Sequence, residues 1–503
     1  MPSRKTQVLI VGSGPVGATY ARKLVDQGID VLMVEMGAQE RPIIGDHMKN
    51  SIPAQKNINK FMDDEPIIQN GSNPLQKPDN NLRGAAASRT VGGMSAHWTC
   101  CTPRQHRTHE RSKIFTEEQW DSLYKEAETL LGTNSTSFDS IRQRLLLKAL
   151  NDAYPDGSKK FSSLPLACSR SERNSSYVKW SSSATILGEE ITSGKAEKHF
   201  ELLPQHQCME LKRGGDGKIK YATVKDLLGD EEIRIEADKY VVCAGAILTP
   251  GILWKSGFKK THPALGRFLT EQTLAFCQVI LKSDLVKNIP GDNLGCQHAL
   301  DKHKEKFDED PVPFPFEDDD PQIYLPVTED RLWHAQIHRD AFSYGQTPPG
   351  IDQRLVVDLR FFGPVKPTSQ NRVEFSDSIT DAYGMPQPTF YYKLSTVDAC
   401  IAHDMMSDMI QVARHLGGWV PGSEPKMLEP GASLNICGTT RAGTKIEDSV
   451  VNEKSQVWKC ENLYLGGCNV IPGPNASNPT LTAICFALEG AEDIIRSFKP
   501  APK

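Results

Sequence analysis

The 503-residue chain has no apolar run near the roughly 20 residues that a membrane span needs. It carries no CxxC pair, no His/Cys cluster at metal-ligand spacing and no short disulfide-dense segment. Its twelve cysteines are scattered, with Cys100-Cys101 the one adjacent pair. Several of them (Cys243, Cys277, Cys485) sit in apolar surroundings, where a free thiol is usual, which points to a reducing compartment. Excess positive charge is also missing. The net charge is -5, so no basic face is implied and nucleic acid is excluded as an expected partner. No internal repeat is visible. Only Met1 to Thr6 precede the first strand, too few for a secretory leader, so the reading is an intracellular protein. What remains is the composition of a globular protein, 38 % hydrophobic and 24 % charged, long enough for two intimate domains.

The chain opens on a βαβ unit. Val8-Leu9-Ile10-Val11 reads as a strand buried on both faces, and Val31 to Val34 as the second strand. Between them lies Gly12-Ser13-Gly14-Pro15-Val16-Gly17. Gly12 makes the tight turn, Gly14 lets a pyrophosphate approach the backbone, and Gly17 permits close helix–strand packing. Glu35 ends the second strand, where it can accept the ribose hydroxyls of an adenosine half. The pattern does not by itself separate FAD from NAD. About 75 residues on comes Val91-Gly92-Gly93-Met94-Ser95-Ala96-His97-Trp98-Thr99. Here two glycines and a serine admit a flat ring close to the backbone, and a histidine stands where it could be bonded to that ring.

Further along, Thr116 to Leu131 and Ile141 to Tyr154 read as helices, with Thr116 as the cap of the first. Tyr240 to Ala246 is another buried strand ending in a small-residue turn. Residues 303 to 321 look like a mobile loop, lid or solvated excursion, and residues 322 to 393 alternate as an antiparallel sheet does. Val397 to Leu416 is an amphipathic helix, and Leu481 to Arg496 is a closing helix that begins just after Pro479. Alternation places His334, Gln336, His338 and Asp340 on one strand face, a polar wall suited to a sugar.

The turn at Gly12, the strand Val241 to Gly245 with Ala246-Ile247-Leu248-Thr249-Pro250, and Asn462 to Gly467 with Asn478-Pro479-Thr480 together resemble the glucose–methanol–choline (GMC) oxidoreductases. The likeness is to the pyranose 2-oxidase branch. His97-Trp98-Thr99 is similar to its flavin-attachment segment, and His334 to Gly345 to its substrate strand and active-site loop. Gly466-Gly467-Cys468 stands in place of the Gly-Asp of other members.

The resemblance implies an α/β fold with a Rossmann-like FAD-binding domain (1–110, 195–285 and 430–503). A substrate domain built on an antiparallel sheet would take 111–194 and 286–429. It implies FAD linked through the His97 ring to the flavin 8α-methyl, Thr99 near flavin N5, and Gly93, Asn469, Pro479 and Thr480 as further cofactor contacts. Gln336, His338, Asp340, Phe342 and Tyr344 would bind or gate a pyranose. The second substrate would be O2 or a quinone, and the assembly a homotetramer. No metal and no membrane enter the expectation.

One frame departs from that pattern. The family's base histidine belongs to His-x-x-Gly-Thr-x-Arg-x-Gly, whereas this chain reads Asn435-Ile436-Cys437-Gly438-Thr439-Thr440-Arg441-Ala442-Gly443, with the companion amide at Asn478. A carboxamide has no usable basicity, and a general base contributes typically ~10²–10⁴-fold. Three outcomes stay open. His338 or His334 serves as base; the substrate is more easily deprotonated, with Asn435 and Asn478 orienting it; or the redox reaction is lost.

Overall fold

The computed structural model describes residues 2–51, 68–70, 81–171, 177–339 and 347–499. The strands that organise it are, in chain order, β1 (Ser3–Val11), β2 (Val31–Val34), β3 (Phe200–Leu203), β4 (His206–Arg213), β5 (Ile219–Asp226), β6 (Glu232–Val242), β7 (Thr273–Leu281), β8 (Gln322–Leu325), β9 (His334–His338), β10 (Val356–Gly363) and β11 (Leu463–Leu465). The helices that matter below are α1 (Pro15–Val25), α2 (Glu117–Leu131), α3 (Thr396–Leu416) and α4 (Thr480–Phe498).

The first sheet runs β4-β5-β6-β1-β2-β3, with β11 joined to β6. Its centre is parallel: β3, β2, β1, β6 and β11 all point one way. Apolar side chains on both faces of Val8–Val11 and Val31–Val34 are the sequence mark of such a sheet, and all eight residues are buried. Val11 is in register with both Val34 and Val242, so three strands end at one edge. The turn at Gly12 opens there, where ligands of open α/β sheets bind. Pro15 starts α1 behind a Gly14 cap, a position that needs no N–H donor. Helix α2 is capped as read, Thr116 and Gln119 exchanging reciprocal bonds.

The second sheet, β7-β10-β9-β8, is antiparallel. Helix α3 covers one face, where Met405, Met409, Val412 and Ala413 join Ala335, Ile337, Leu359 and Phe361 in one apolar cluster. The other residues of β9, His334, Gln336 and His338, therefore face away from α3. The α/β architecture with an antiparallel second sheet is thus the one expected.

Three details differ from the sequence reading. Thr273–Leu281 pairs inside the antiparallel sheet, although the boundary at 285 put it with the nucleotide turn. Helix α2 packs in the apolar cluster of the first sheet, through Trp120, Tyr124, Ala127 and Leu131, although it was assigned to the substrate side. Residues 303–321 are tied down: Arg354 forks onto Asp310 at 2.8 and 3.0 Å, and Asp318 accepts the Ile141 and Arg142 N–H groups at 2.8 and 3.1 Å. Charge-rich composition suggested solvation there, but these carboxylates face partners from distant segments. Among the described residues, no helix is long and apolar enough to cross a membrane.

Candidate functional site

The glycines of the turn do three different jobs. Gly12 has φ +99°, and a Cβ on it would stand 2.4 Å from the Cys243 carbonyl oxygen. A Cβ on Gly17 would fall 2.0 Å from the Gly12 carbonyl oxygen, so α1 could not pack as it does. At Gly14 a Cβ would meet nothing nearer than the Gly93 Cα, at 4.0 Å. The space in front of Gly14 is open, as a backbone that cradles a phosphate needs. It belongs to a cavity with about 1510 Å³ of empty space, its open mouth included. Gly12, Gly14, Glu35, Ser88, Gly93, Met94, Cys468 and Thr480 are on its wall, so α4 also begins at this cavity.

Glu35 is buried at the bottom of the turn. Its carboxylate accepts the Ser13 N–H (3.0 Å), the Ser13 hydroxyl (2.8 Å) and the Gly37 N–H (2.8 Å). Burial pushes its carboxyl up, and those donors partly offset the push. The Ser13 hydroxyl also accepts the Gly92 N–H at 2.9 Å, which fastens the glycine-rich segment onto the dinucleotide turn. A two-oxygen acceptor, an open cradle and converging backbone N–H groups fit the adenosine diphosphate half of FAD.

His97 follows directly on the short turn Gly93–Ala96. It is buried, and its Nε2 lies 3.1 Å from the Ser88 hydroxyl, itself on the cavity wall. Burial pushes the imidazole down to about 4, so the ring is neutral at physiological pH. His97 is not itself among the residues on that wall and reaches it through Ser88. Thr99 is half-buried and its hydroxyl donates to Cys101 Sγ at 3.4 Å.

The residues expected at the sugar converge from three distant segments. His334, Gln336 and His338 are each at most 1 % exposed, so this strand face is not a solvated one. Gln336 donates through Nε2 to Asn478 Oδ1 at 2.6 Å and to His334 Nε2 at 3.0 Å, and its Oε1 accepts the Cys101 thiol at 3.4 Å. Both ends of its amide are thus engaged by protein. His334 stacks on Phe362 with ring centroids 4.8 Å apart, and burial pushes its imidazole down to about 3. That value removes most of its strength as a base near neutral pH. Asn435 and Asn478 remain half-buried. Asn469 is fully buried and donates to the Thr440 hydroxyl at 2.7 Å, while Pro479 is the N-cap residue of α4. Asp340, Phe342 and Tyr344 lie outside the described residues.

Three residues that sequence reasoning passed over hold the two asparagines. Glu271, 1 % exposed, accepts the Gln272 N–H at 2.7 Å, the Asn435 N–H at 3.3 Å and the Ser433 hydroxyl. Burial pushes its carboxyl up to about 7. Glu110 holds the other loop, accepting the Ala476 and Ser477 N–H groups at 2.8 and 2.7 Å and the Ser477 hydroxyl at 2.9 Å. Burial raises its carboxyl as well. Gln272 spans the two loops, donating to the Ala476 and Ser477 carbonyls at 2.7 and 2.9 Å and accepting from Asn435 Nδ2 at 2.7 Å. The signal for them was weak: a lone Glu-Gln before an apolar strand, and a lone Glu in a polar stretch.

Comparison with known proteins agrees with this geometry. Family models described as GMC oxidoreductase match residues 6–274 and 367–487. The chain is 46 % identical to a pyranose 2-oxidase of Emericella nidulans, over 97 % of this chain and 92 % of that protein. It is 39 % identical to a pyranose 2-oxidase of Lyophyllum shimeji, over 98 % and 92 % of the two chains. Among solved structures, a formate oxidase superposes with a TM-score of 0.69 at 14 % identity, covering 99 % of both chains, a likeness of fold. The chain belongs to the GMC oxidoreductase family, as an FAD-dependent oxidoreductase that acts on CH–OH groups.

Proposed function

We propose that this enzyme oxidises a secondary hydroxyl of a pyranose, or of a ring derived from one, to the ketone, with O2 as final acceptor. The observation that supports it best is the buried strand His334–His338, whose Gln336 amide is bonded to Asn478 while Asn478 stays half-buried. The two pyranose 2-oxidase relatives carry the sugar into the reading. FAD held by Gly12, Gly14, Glu35, Gly93 and Thr480 would supply the two-electron acceptor for the carbon-bound hydrogen. His97 would hold it covalently, because a neutral imidazole has the free electron pair that such a bond requires. The two-body division of the chain and a homotetrameric assembly belong to the same reading.

The protein's own task is to orient the hydroxyl and take its proton. Asn435 cannot take it. His334 is a poor acceptor, its basicity lowered by burial. This reading assigns the proton to His338, equally buried on the same face of β9, with Asn435 and Asn478 orienting the ring. The amide at position 435 also favours a second reading, an enzyme tailoring a more acidic, sugar-derived ring. Both are tested by mixing the purified protein anaerobically with a panel of pyranoses and pyranones. Bleaching of the oxidised flavin by simple aldopyranoses supports the first, and bleaching by pyranones alone supports the second. A flavin that no member bleaches refutes both.

A further inference from the structure

An amide side chain has one end that donates and one that accepts, and the neighbours of each end decide which way it lies. Gln272 is 4 % exposed and faces two backbone carbonyls, those of Ala476 and Ser477, at 2.7 and 2.9 Å. Carbonyls only accept, so the Gln272 NH2 must point at them. Its Oε1 is then fixed toward Asn435, and only the Asn435 NH2 can meet it, at 2.7 Å. Glu271 holds the backbone of the same residue through its N–H at 3.3 Å, which limits rotation of the segment. Asn435 Oδ1 is left as the end turned away from Gln272, on a half-buried residue, and among the described residues it takes no hydrogen bond.

We infer that Gln272 is a positioning residue that locks Asn435 with its carbonyl oxygen toward the reacting hydroxyl, so that the site favours the alcohol over its ketone product. The inference rests on the pyranose-oxidising reading above. In the ground-state complex the alcohol donates its O–H to Asn435 Oδ1, and the same O–H turns to His338 only when the proton leaves. The ketone has no hydrogen to give and brings a second lone-pair oxygen against the first. Rotation of the Asn435 amide would cure that repulsion, but it would set two carbonyl oxygens face to face at Gln272 or break both Gln272 bonds to the 476–477 backbone. Each turnover therefore ends with the product held less well than the substrate.

The test uses the FAD-loaded enzyme, glucose as substrate and 2-keto-glucose as product inhibitor. In Asn435→Ala the KM for glucose rises about fivefold, the worth of one neutral hydrogen bond, while the inhibition constant of the ketone stays the same or falls. In Gln272→Met the amide is free to turn its NH2 toward the ketone, and the ratio of ketone inhibition constant to glucose KM falls about fivefold or more. A structural defect alone would weaken both ligands together. If Gln272→Met does not fold, Asn435→Ala still decides the polarity. Equal weakening of alcohol and ketone in Asn435→Ala, or an unchanged ratio in Gln272→Met, overturns the inference while glucose still bleaches the parent flavin. Failure of the whole pyranose panel to bleach it overturns the sugar reading and takes this inference with it.

Discussion

Replacing Glu271 by glutamine should change how stability depends on pH. In the folded chain the carboxyl is pushed from 4.5 up to about 7 by burial, against the Ser433, Gln272 and Asn435 donors. The folded state therefore holds a proton that the unfolded chain has already lost between those two values. Stability contributed by this group is fully present below about pH 4.5 and is lost as pH rises through about 7. Raising the carboxyl from 4.5 to about 7 corresponds to about 3 kcal/mol between the fully protonated and fully ionised limits. The ionisable neighbours that face this carboxyl, Tyr392 and Cys437, are held above their ordinary ranges and stay protonated throughout the window. Glu271→Gln keeps an acceptor for the Asn435 segment but has no proton to lose. Denaturant unfolding of parent and variant at pH 5 and pH 8 measures the difference. The parent should lose about 2.5 kcal/mol more than the variant over that interval, since at pH 5 the unfolded carboxyl has not yet lost its whole proton share. Parallel stability profiles would refute the argument that burial dominates at Glu271.

Asn435→His should raise turnover on glucose by about 10²-fold, because Gln272 Oε1, 2.7 Å from the native amide nitrogen, would take the imidazole N–H and leave the second ring nitrogen basic toward the cleft. Steady-state rates with and without Gln272→Met in the same background check it, and a gain independent of Gln272 counts against the orientation argument. His97→Ala should release all flavin colour on acid precipitation, whereas the parent pellet stays yellow; a parent that also releases its flavin has no covalent link. Gly17→Ala should abolish FAD retention, since its Cβ would stand 2.0 Å from the Gly12 carbonyl oxygen, and flavin absorbance after gel filtration reads this directly.

The short-range rules wrote much of this molecule into its sequence. Four consecutive apolar residues in β1, glycines at 12, 14 and 17, a cap at Thr116 and the amphipathic 397–416 segment each depend on neighbours within a turn or two, so position and type could be read from the chain. The base-to-amide change at Asn435 was readable for the same reason, because its Gly-Thr-x-Arg-x-Gly frame is local. The tertiary structure decided what those residues can do. Gln272 and Asn435 are 163 positions apart, and Glu110 and Ala476 are 366 apart. No local pattern marks either pair. His334 read as a candidate base until burial lowered its basicity, which no local pattern shows. Gln336 was readable as a sugar contact, but its bonds to Asn478, His334 and Cys101 were not. Backbone conformation follows from near neighbours, whereas proton affinity and hydrogen-bond polarity follow from solvent exclusion and from contacts that only the folded chain brings together.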